Sequence, residues 1–345
     1  MGSAREKVFP FTAIIGQEEM KRSLILNIIN SKIGGVLIFG EKGTAKSTAV
    51  RALADLLPEL EKVKGCRFNC DPYDEKDLCS ECSEKLKKNG YLEKETMKMK
   101  VVDLPVSATE DRVVGSLDIE SAIKEGKKYF EHGILGDANR GILYIDEINL
   151  LDDHIVDLLL DSAAMGVNTV EREGISFSHP SNFILTGTMN PEEGDLRPQL
   201  LDRFGLSVDI KGLTNVEDRL DILKLREEFD RNPDGFLKKY ENRQRELSKK
   251  IVNARENLKN VKISDELMRK IVKIAIKLET DGHRGDLTLM RASLANAAFK
   301  GHKEVLPEDI METVKSVFLH RMASLPFENA KNINMDIIEE IIREE

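Results

Sequence analysis

Three groups of residues in this 345-residue chain could do chemistry, and the first is Gly40-Glu41-Lys42-Gly43-Thr44-Ala45-Lys46-Ser47. It follows an apolar run, Gly35–Phe39, of the length expected for a buried parallel strand. It precedes Thr48–Leu57, whose apolar spacing is helical. A glycine loop between strand and helix turns its backbone N–H groups into one concavity, with the positive end of the helix behind them. Gly40, Gly43, Thr44, Ala45, Lys46, Ser47 and Thr48 would form that anion cradle. Lys46 can reach the outer phosphates of a nucleotide, and the Ser47 hydroxyl suits Mg²⁺. The usual pattern has glycine before the lysine, where this chain has Ala45. A methyl group fits there if the residue keeps ordinary helical or extended dihedrals.

The second group closes an apolar strand, Gly141-Ile142-Leu143-Tyr144-Ile145, with Asp146 and Glu147. Asp146 is placed to help hold Mg²⁺ and Glu147 to polarise a water, so the two segments together predict hydrolysis of a nucleoside triphosphate, ATP above all. Hydrolysis of a γ-phosphate is mainly positioning and charge stabilisation, which calls for further polar and cationic groups. Asn190 follows a strand at Asn182–Thr188 and would sit near the same water; simple turn chemistry before Pro191 is its other reading. Arg203, in Leu201-Asp202-Arg203-Phe204, is the candidate for reaching a triphosphate held by the next subunit. Arg197 is its nearest competitor, and a structural salt bridge is the plainer role for either. Asp202 would orient Arg203 or pair with another subunit. Arg284, in Gly282-His283-Arg284-Gly285 at the start of a helix, is placed to contact the γ-phosphate of its own subunit, or else is a helix-terminal surface arginine.

The third group is Cys66-x3-Cys70-x8-Cys79-x2-Cys82, which holds all four cysteines of the chain. Disulfides are disfavoured in a reducing compartment, so a compact quartet points to a metal. Four thiolates suit tetrahedral Zn²⁺, although the x3 arm is a looser fit than x2. An iron–sulfur cluster has the same ligand count, and unliganded or redox-active cysteines are the third reading.

The elements that must position these groups alternate. Strands near 35–39, 101–105, 141–145, 182–188 and 206–210, separated by helices, predict an α/β fold with a parallel sheet covered on both faces. Residues 58–100 read as an insertion carrying the cysteines and a charged run, Glu81–Lys100, expected as a solvated helix or hairpin. Ile119–Phe130 reads as helix and Val167–His179 as a β-hairpin. Beyond about 212 only helices recur: a charged stretch at 217–259, then 265–278, 287–300, 307–322 and 335–345. The predicted organisation is an α/β core over 1–212, a charged helical linker over 213–262 and a helical lid over 263–345. Net charge is −9 with pI about 5.4, so no general attraction to nucleic acid or to an anionic membrane is expected. With neither a membrane span nor a secretory signal in the sequence, the cytoplasm is the expected compartment. The six histidines are scattered, without the paired spacing of a catalytic metal site, and no Gly-x-Ser-x-Gly esterase motif occurs.

These residues together resemble the AAA+ ATPases, and within them the magnesium chelatase subunit I family. Phe11-Thr12-Ala13-Ile14-Ile15-Gly16-Gln17 is similar to that family's N-terminal signature. So are Leu104-Pro105 with Ala108–Ser116, and Ala138–Leu151. The most specific block is Val170–Ser176 through His179-Pro180, Gly187–Gly194 and Leu196–Phe204. The resemblance implies an AAA+ P-loop core with inserted β-hairpins, followed by an all-α lid. It implies Ile15 near the adenine, Asn190 as sensor 1, Arg203 as arginine finger and Arg284 as sensor 2. The excursions at 106–135 and 166–180 look like the family's two inserted hairpins, which face partners or the ring's pore. It also implies an ATP-driven ring, commonly a hexamer, with a related D subunit and a large H subunit that inserts Mg²⁺ into a tetrapyrrole. The cysteine quartet departs from the family's needs, and related rings resemble the motors of cobalt insertion. A MoxR-like AAA+ chaperone acting on a protein client is the alternative within the same ATP chemistry.

Overall fold

The computed structural model describes residues 7–41, 43–118, 129–172, 175–194, 196–280, 282–322 and 333–344. They fall into two compact units: Met1–Leu57 with Thr188–Glu345, and Pro58–Gly187.

In the first unit, helix α1 (Glu18–Ile29) is followed by strand β1 (Val36–Gly40), the glycine loop and helix α2 (Lys46–Leu56). Strand β1 is buried at every position, which a continuous apolar run dictates for a strand covered on both faces. It pairs in parallel with β11 (Leu206–Ile210), from Val36 opposite Leu206 to Gly40 opposite Ile210. Among the described residues after β11 the regular elements are helices, apart from one isolated bridge between Lys262 and Glu304. The charged stretch forms α5 (Val216–Arg231) and α6 (Pro233–Asn257). Few positions of this pair are buried: Phe229, Phe236 and Tyr240 cluster with Ala13, with Phe9 packed on them, and Ile251 and Ala254 are buried further along α6. The other lid helices are α7 (Asp265–Lys277), α8 (Arg284–Lys300), α9 (Pro307–Phe318) and α10 (Met335–Arg343). Helix α8 buries small residues, Ala292, Ser293, Ala295, Asn296 and Ala297, so neighbouring backbones can approach closely. The Ser293 and Thr313 hydroxyls lie 3.3 Å apart between α8 and α9.

The second unit is built on β7 (Ile142–Ile145), which pairs in parallel with β4 (Val101–Leu104) and with β10 (Ile184–Met189). Ile142 lies opposite both Val101 and Ile184. Strand β10 then carries the chain across the unit boundary. Helix α4 (Asp153–Met165) buries Ile155, Val156, Leu159 and Leu160. Within 58–100, β2 (Leu60–Val63) pairs antiparallel with β3 (Lys94–Met97), and α3 (Ser80–Asn89) lies between them in sequence. The charged run expected as helix or hairpin therefore divides into both. Two further hairpins are present, β5 (Gly115–Asp118) with β6 (Tyr129–His132), and β8 (Val167–Arg172) with β9 (Ile175–Pro180). Tyr129 and Phe130, read from sequence as the end of a helix, belong to β6; the rest of that stretch, 119–128, lies outside the described residues. Phe130 is claimed by tertiary packing, stacked on Phe177 with ring centroids 4.1 Å apart. No helix among the described residues is long and apolar enough to cross a membrane.

Candidate functional site

In the first unit, β1 delivers the chain to Gly40, where φ is 142° and a Cβ would come within 2.3 Å of the Ile210 carbonyl oxygen. Only glycine fits that approach to β11. At Gly43 (φ 84°) an added Cβ would meet nothing within 4 Å, so the loop arches over open space. Thr44 Oγ1 donates to the Glu41 carbonyl at 2.9 Å. Ala45 is left-handed, with φ 62° and ψ 22°. The condition set from the sequence, ordinary dihedrals at this alanine, is not met. The position has the backbone that a glycine would adopt freely, and the methyl group carries strain there. From that turn α2 starts, with the Ala45 carbonyl accepting from the Ala49 N–H at 2.9 Å. Among the described residues no side chain caps this start, and its first turn has no acidic residue. The contrast with α5, α6 and α7, capped by Asn215, Asn232 and Ser264, is direct. A helix end left with its N–H groups uncapped and its dipole uncompensated is suited to an anion. Lys46 Nζ donates to the Gly40 carbonyl, and to that of Glu41 at 3.3 Å, which folds the ammonium over the loop. Ser47 is exposed and Thr48 half-buried beside it. Open space, backbone donors, an ammonium and a hydroxyl fit the outer phosphates of a nucleotide with its Mg²⁺.

Ile15 is half-buried in the loop before α1. That loop is held by Lys21 Nζ donating to the Ile14 carbonyl and by Gln17 Nε2 donating to the Lys211 carbonyl. Asn190, 8% exposed, follows β10 and accepts from the Glu192 N–H at 3.3 Å, so its oxygen does perform the turn chemistry before Pro191.

The arginines form a network that the sequence did not announce. Asp202 is bound by Arg284 Nη1 at 2.8 Å and by Arg321 Nε at 3.2 Å. Within the chain, two arginines from much further along the sequence take the Asp202 carboxylate. Arg284, at the first position of α8, is tied to the segment that carries Arg203. Arg321 also donates to the carbonyls of Phe204 (2.7 Å) and Gly205 (3.1 Å). Burial pulls Arg321 down to about 10, with Asp202 opposing the fall. His320, fully buried, donates from Nε2 to the Phe204 carbonyl at 3.0 Å and accepts at Nδ1 from the Ser207 hydroxyl at 2.7 Å. Its burial, with Arg321 beside it, keeps it neutral, well below the ordinary histidine range. Half-buried Arg203 thus sits in a segment held by His320 and Arg321. Nothing in the sequence marked His320 or Arg321 except their place at a helix end.

In the second unit, β7 ends in the two carboxylates. Asp146 is exposed and accepts from the Tyr144 hydroxyl at 3.0 Å. Glu147 is left-handed (φ 55°, ψ 56°), which reverses the chain at once and returns Ile148 to full burial. A non-glycine residue in this region costs about 1–2 kcal/mol, and strain of this kind concentrates at functional sites.

The four cysteines also lie in this unit. All are buried, and their Sγ atoms lie within 4.8 Å of one another. Hydrogen bonds shared among the thiols pull Cys66 down and push Cys70 up.

A family model described as "Magnesium chelatase, subunit ChlI" matches residues 116–199, and an "AAA lid domain" model matches residues 268–341. The chain is similar to a magnesium-chelatase subunit ChlI homolog of Methanocaldococcus jannaschii, at 58% identity over 98% of this chain and 91% of that protein. It is also similar to the magnesium-chelatase subunit ChlI of Euglena gracilis, at 54% identity over 93% of this chain and 92% of that protein. Among solved structures it matches a chain in a model of the complex between subunits BchI and BchD of magnesium chelatase, based on a cryo-EM reconstruction. That match has a TM-score of 0.56 at 45% identity, covering 92% of this chain and 96% of that one.

Proposed function

The chain belongs to the magnesium chelatase subunit ChlI family of AAA+ proteins, and on that premise we propose that it is an ATP-hydrolysing motor driving metal insertion into a tetrapyrrole by a large partner subunit. In this reading 1–212 is the ATPase core, 213–262 a linker and 263–345 the lid. Lys46 and the loop N–H groups hold the phosphates, with Ile15 near the adenine. Ser47 and Asp146 would hold Mg²⁺, whose charge offsets that of the β- and γ-phosphates. Glu147 polarises the attacking water and Asn190 helps position it. Arg203 serves the nucleotide of the neighbouring subunit in a ring, expected to be a hexamer. Arg284 is tied to Asp202 at 2.8 Å; exchanging that carboxylate for a γ-phosphate would link nucleotide state to the Arg203 segment. A D-type AAA+ subunit and a large H-type subunit are the partners, and the cytoplasm is the site of action.

The observation that carries the reading is the loop at 40–48, with its uncapped helix start and its lysine folded on Gly40 and Glu41. Glu147→Gln tests it. The variant is expected to bind Mg-ATP as tightly as the parent while turnover falls at least ~100-fold, since general-base catalysis contributes typically 10²–10⁴. A variant that turns over at the parental rate overturns the assignment. Co-purification of a large chelatase subunit with the native chain is expected; an unrelated protein client instead would favour the chaperone alternative.

A further inference from the structure

Cys66, Cys70, Cys79 and Cys82 come from two short stretches and converge where the ATP chemistry has no use for them. We propose that they hold one structural Zn²⁺, and that this ion locks Phe68 against the two inserted hairpins.

The distances select the ion. Zinc with four thiolates at about 2.3 Å sets its sulfurs about 3.8 Å apart by tetrahedral geometry. Cys66 Sγ and Cys79 Sγ are 3.9 Å apart, and all four Sγ atoms lie within 4.8 Å of one another. A disulfide brings two sulfurs to about 2.05 Å, and all four cysteines are free. An iron–sulfur cluster distributes its thiolates over different irons, which spreads them wider than one ion does.

The backbone around the quartet is built for thiolates. The x3 arm, loose on spacing alone, is closed by Asn69 in left-handed conformation (φ 50°). Lys62 Nζ donates to Asn69 Oδ1 at 3.1 Å, and Asn139 Nδ2 donates to the Phe68 carbonyl at 2.6 Å, so the arm is fixed from outside. Cys79 is the N-cap of the ten-residue helix α3, and Cys82 lies in its first turn. Among the described residues no side chain caps that start, which leaves helix N–H groups and the positive end of the dipole to favour ionised sulfur. The Cys79 N–H donates to Cys70 Sγ at 3.2 Å. Binding replaces thiol protons with the ion, so uptake of zinc releases protons.

What the ion would do follows from Phe68, held between Cys66 and Cys70 and 1% exposed. Its ring stacks on His179 of β9 at 4.4 Å and lies 6.3 Å from Phe130 of β6 and 6.0 Å from Phe177 of β9. One buried ring cluster therefore ties the cysteine loop to both hairpins.

The test uses the full chain, purified anaerobically through a tag that binds no metal. Elemental analysis is expected to give one zinc per chain. After chelation under reducing conditions, Co²⁺ is expected to restore a stable fold and show the visible absorption of tetrahedral cobalt thiolate. Hydrogen exchange at 66–70, 130–132 and 176–180 should rise at least ~10-fold on chelation, while α2 keeps its protection. Cys82→Ser should lower zinc content and reproduce that exchange pattern; the native protein carries the test should this variant fail to fold. Metal-free protein with four titratable thiols, or protein holding iron and sulfide in similar amounts, overturns the ion. Full zinc with unchanged hairpin exchange on chelation overturns the locking of Phe68.

Discussion

The phosphate loop at 40–48 and the cysteine loop at 66–82 share their parts. Each leaves a short strand, β1 or β2, passes a non-glycine residue in left-handed backbone, Ala45 or Asn69, and ends on a helix without a capping side chain, α2 or α3. They differ in where the polar atoms go. The phosphate loop is open, with Gly43, Ala45 and Ser47 exposed and Lys46 donating to the loop's own carbonyls at Gly40 and Glu41. The cysteine loop turns its four sulfurs inward, each at most 5% exposed. A helix start without a cap can therefore serve either a ligand that comes and goes or one that stays. Burial of the surrounding side chains decides which: an exchanging anion needs an open approach, and a resident ion needs none.

Two substitutions would break this pairing if the loops were coupled. Lys46→Ala removes the ammonium from the phosphate loop. Charge-assisted hydrogen bonds are worth about 1.5–3 kcal/mol, so Mg-ATP affinity is expected to fall roughly tenfold to a hundredfold and turnover to vanish. Metal content and hairpin exchange should not move. Cys82→Ser should give the converse, lower metal and faster exchange with nucleotide affinity within about twofold of the parent. Isothermal titration with a slowly hydrolysed ATP analogue, beside elemental analysis, reads both. A Lys46→Ala protein that sheds its metal would show that the loops are one site in energetic terms.

Acid sharpens the comparison at a smaller scale through two buried neutral histidines, His179 behind the cysteine loop and His320 behind the segment that carries Arg203. His179 stacks on Phe68; its Nδ1 donates to the Pro180 carbonyl at 2.9 Å and its Nε2 accepts from Asn168. Burial, with His132 adding to it, lowers His179, and burial with Arg321 lowers His320 further. Both folded values lie below the unfolded one, so the unfolded chain binds the extra protons. The stability they allow is fully present above about pH 6.5 and is lost as pH falls towards the folded values. Each histidine can contribute at most about 1.4 kcal/mol of lost stability per pH unit. Urea midpoints between pH 7.5 and 5.5 are expected to fall, with a shallower slope in His320→Asn. An unchanged slope in that variant would mean that His320 is already charged in the fold.

The phosphate loop, the strand ending in Asp146 and Glu147, and the cysteine quartet were legible in the sequence because each is local: its chemistry and its spacing lie within a few residues. The partners of Asp202 within the chain, Arg284 and Arg321, were not legible because they lie about a hundred residues further on and carry no pattern that points back. Tyr129 and Phe130 were read as helix from apolar spacing, but the ring cluster with Phe68 and Phe177 draws that segment into a strand. The spacing of the cysteines suggested ligands and said nothing of Phe68 between them, whose role exists only once the hairpins are packed. At Ala45 the residue types were right and the backbone was not, since a loop's dihedrals are set by where its ends must go.

Ala45 gives the smallest effect and the sharpest sign. Its left-handed backbone costs about 1–2 kcal/mol for a residue with a Cβ. Glycine at the same place would release that strain but enlarge the unfolded ensemble, at about 0.4–1 kcal/mol. The first quantity exceeds the second, so Ala45→Gly is expected to stabilise the chain by several tenths to about 1 kcal/mol. In a chain of this length that raises the melting temperature by at most about 2–4 °C. Asn69→Gly in the cysteine loop should gain less, because asparagine tolerates left-handed backbone better than alanine does. Thermal melts of the two variants beside the parent check the order. Should Ala45→Gly melt lower than the parent, the alanine does not hold the strained conformation that likens it to Asn69, and the likeness of the two loops would reduce to the shared lack of a helix cap.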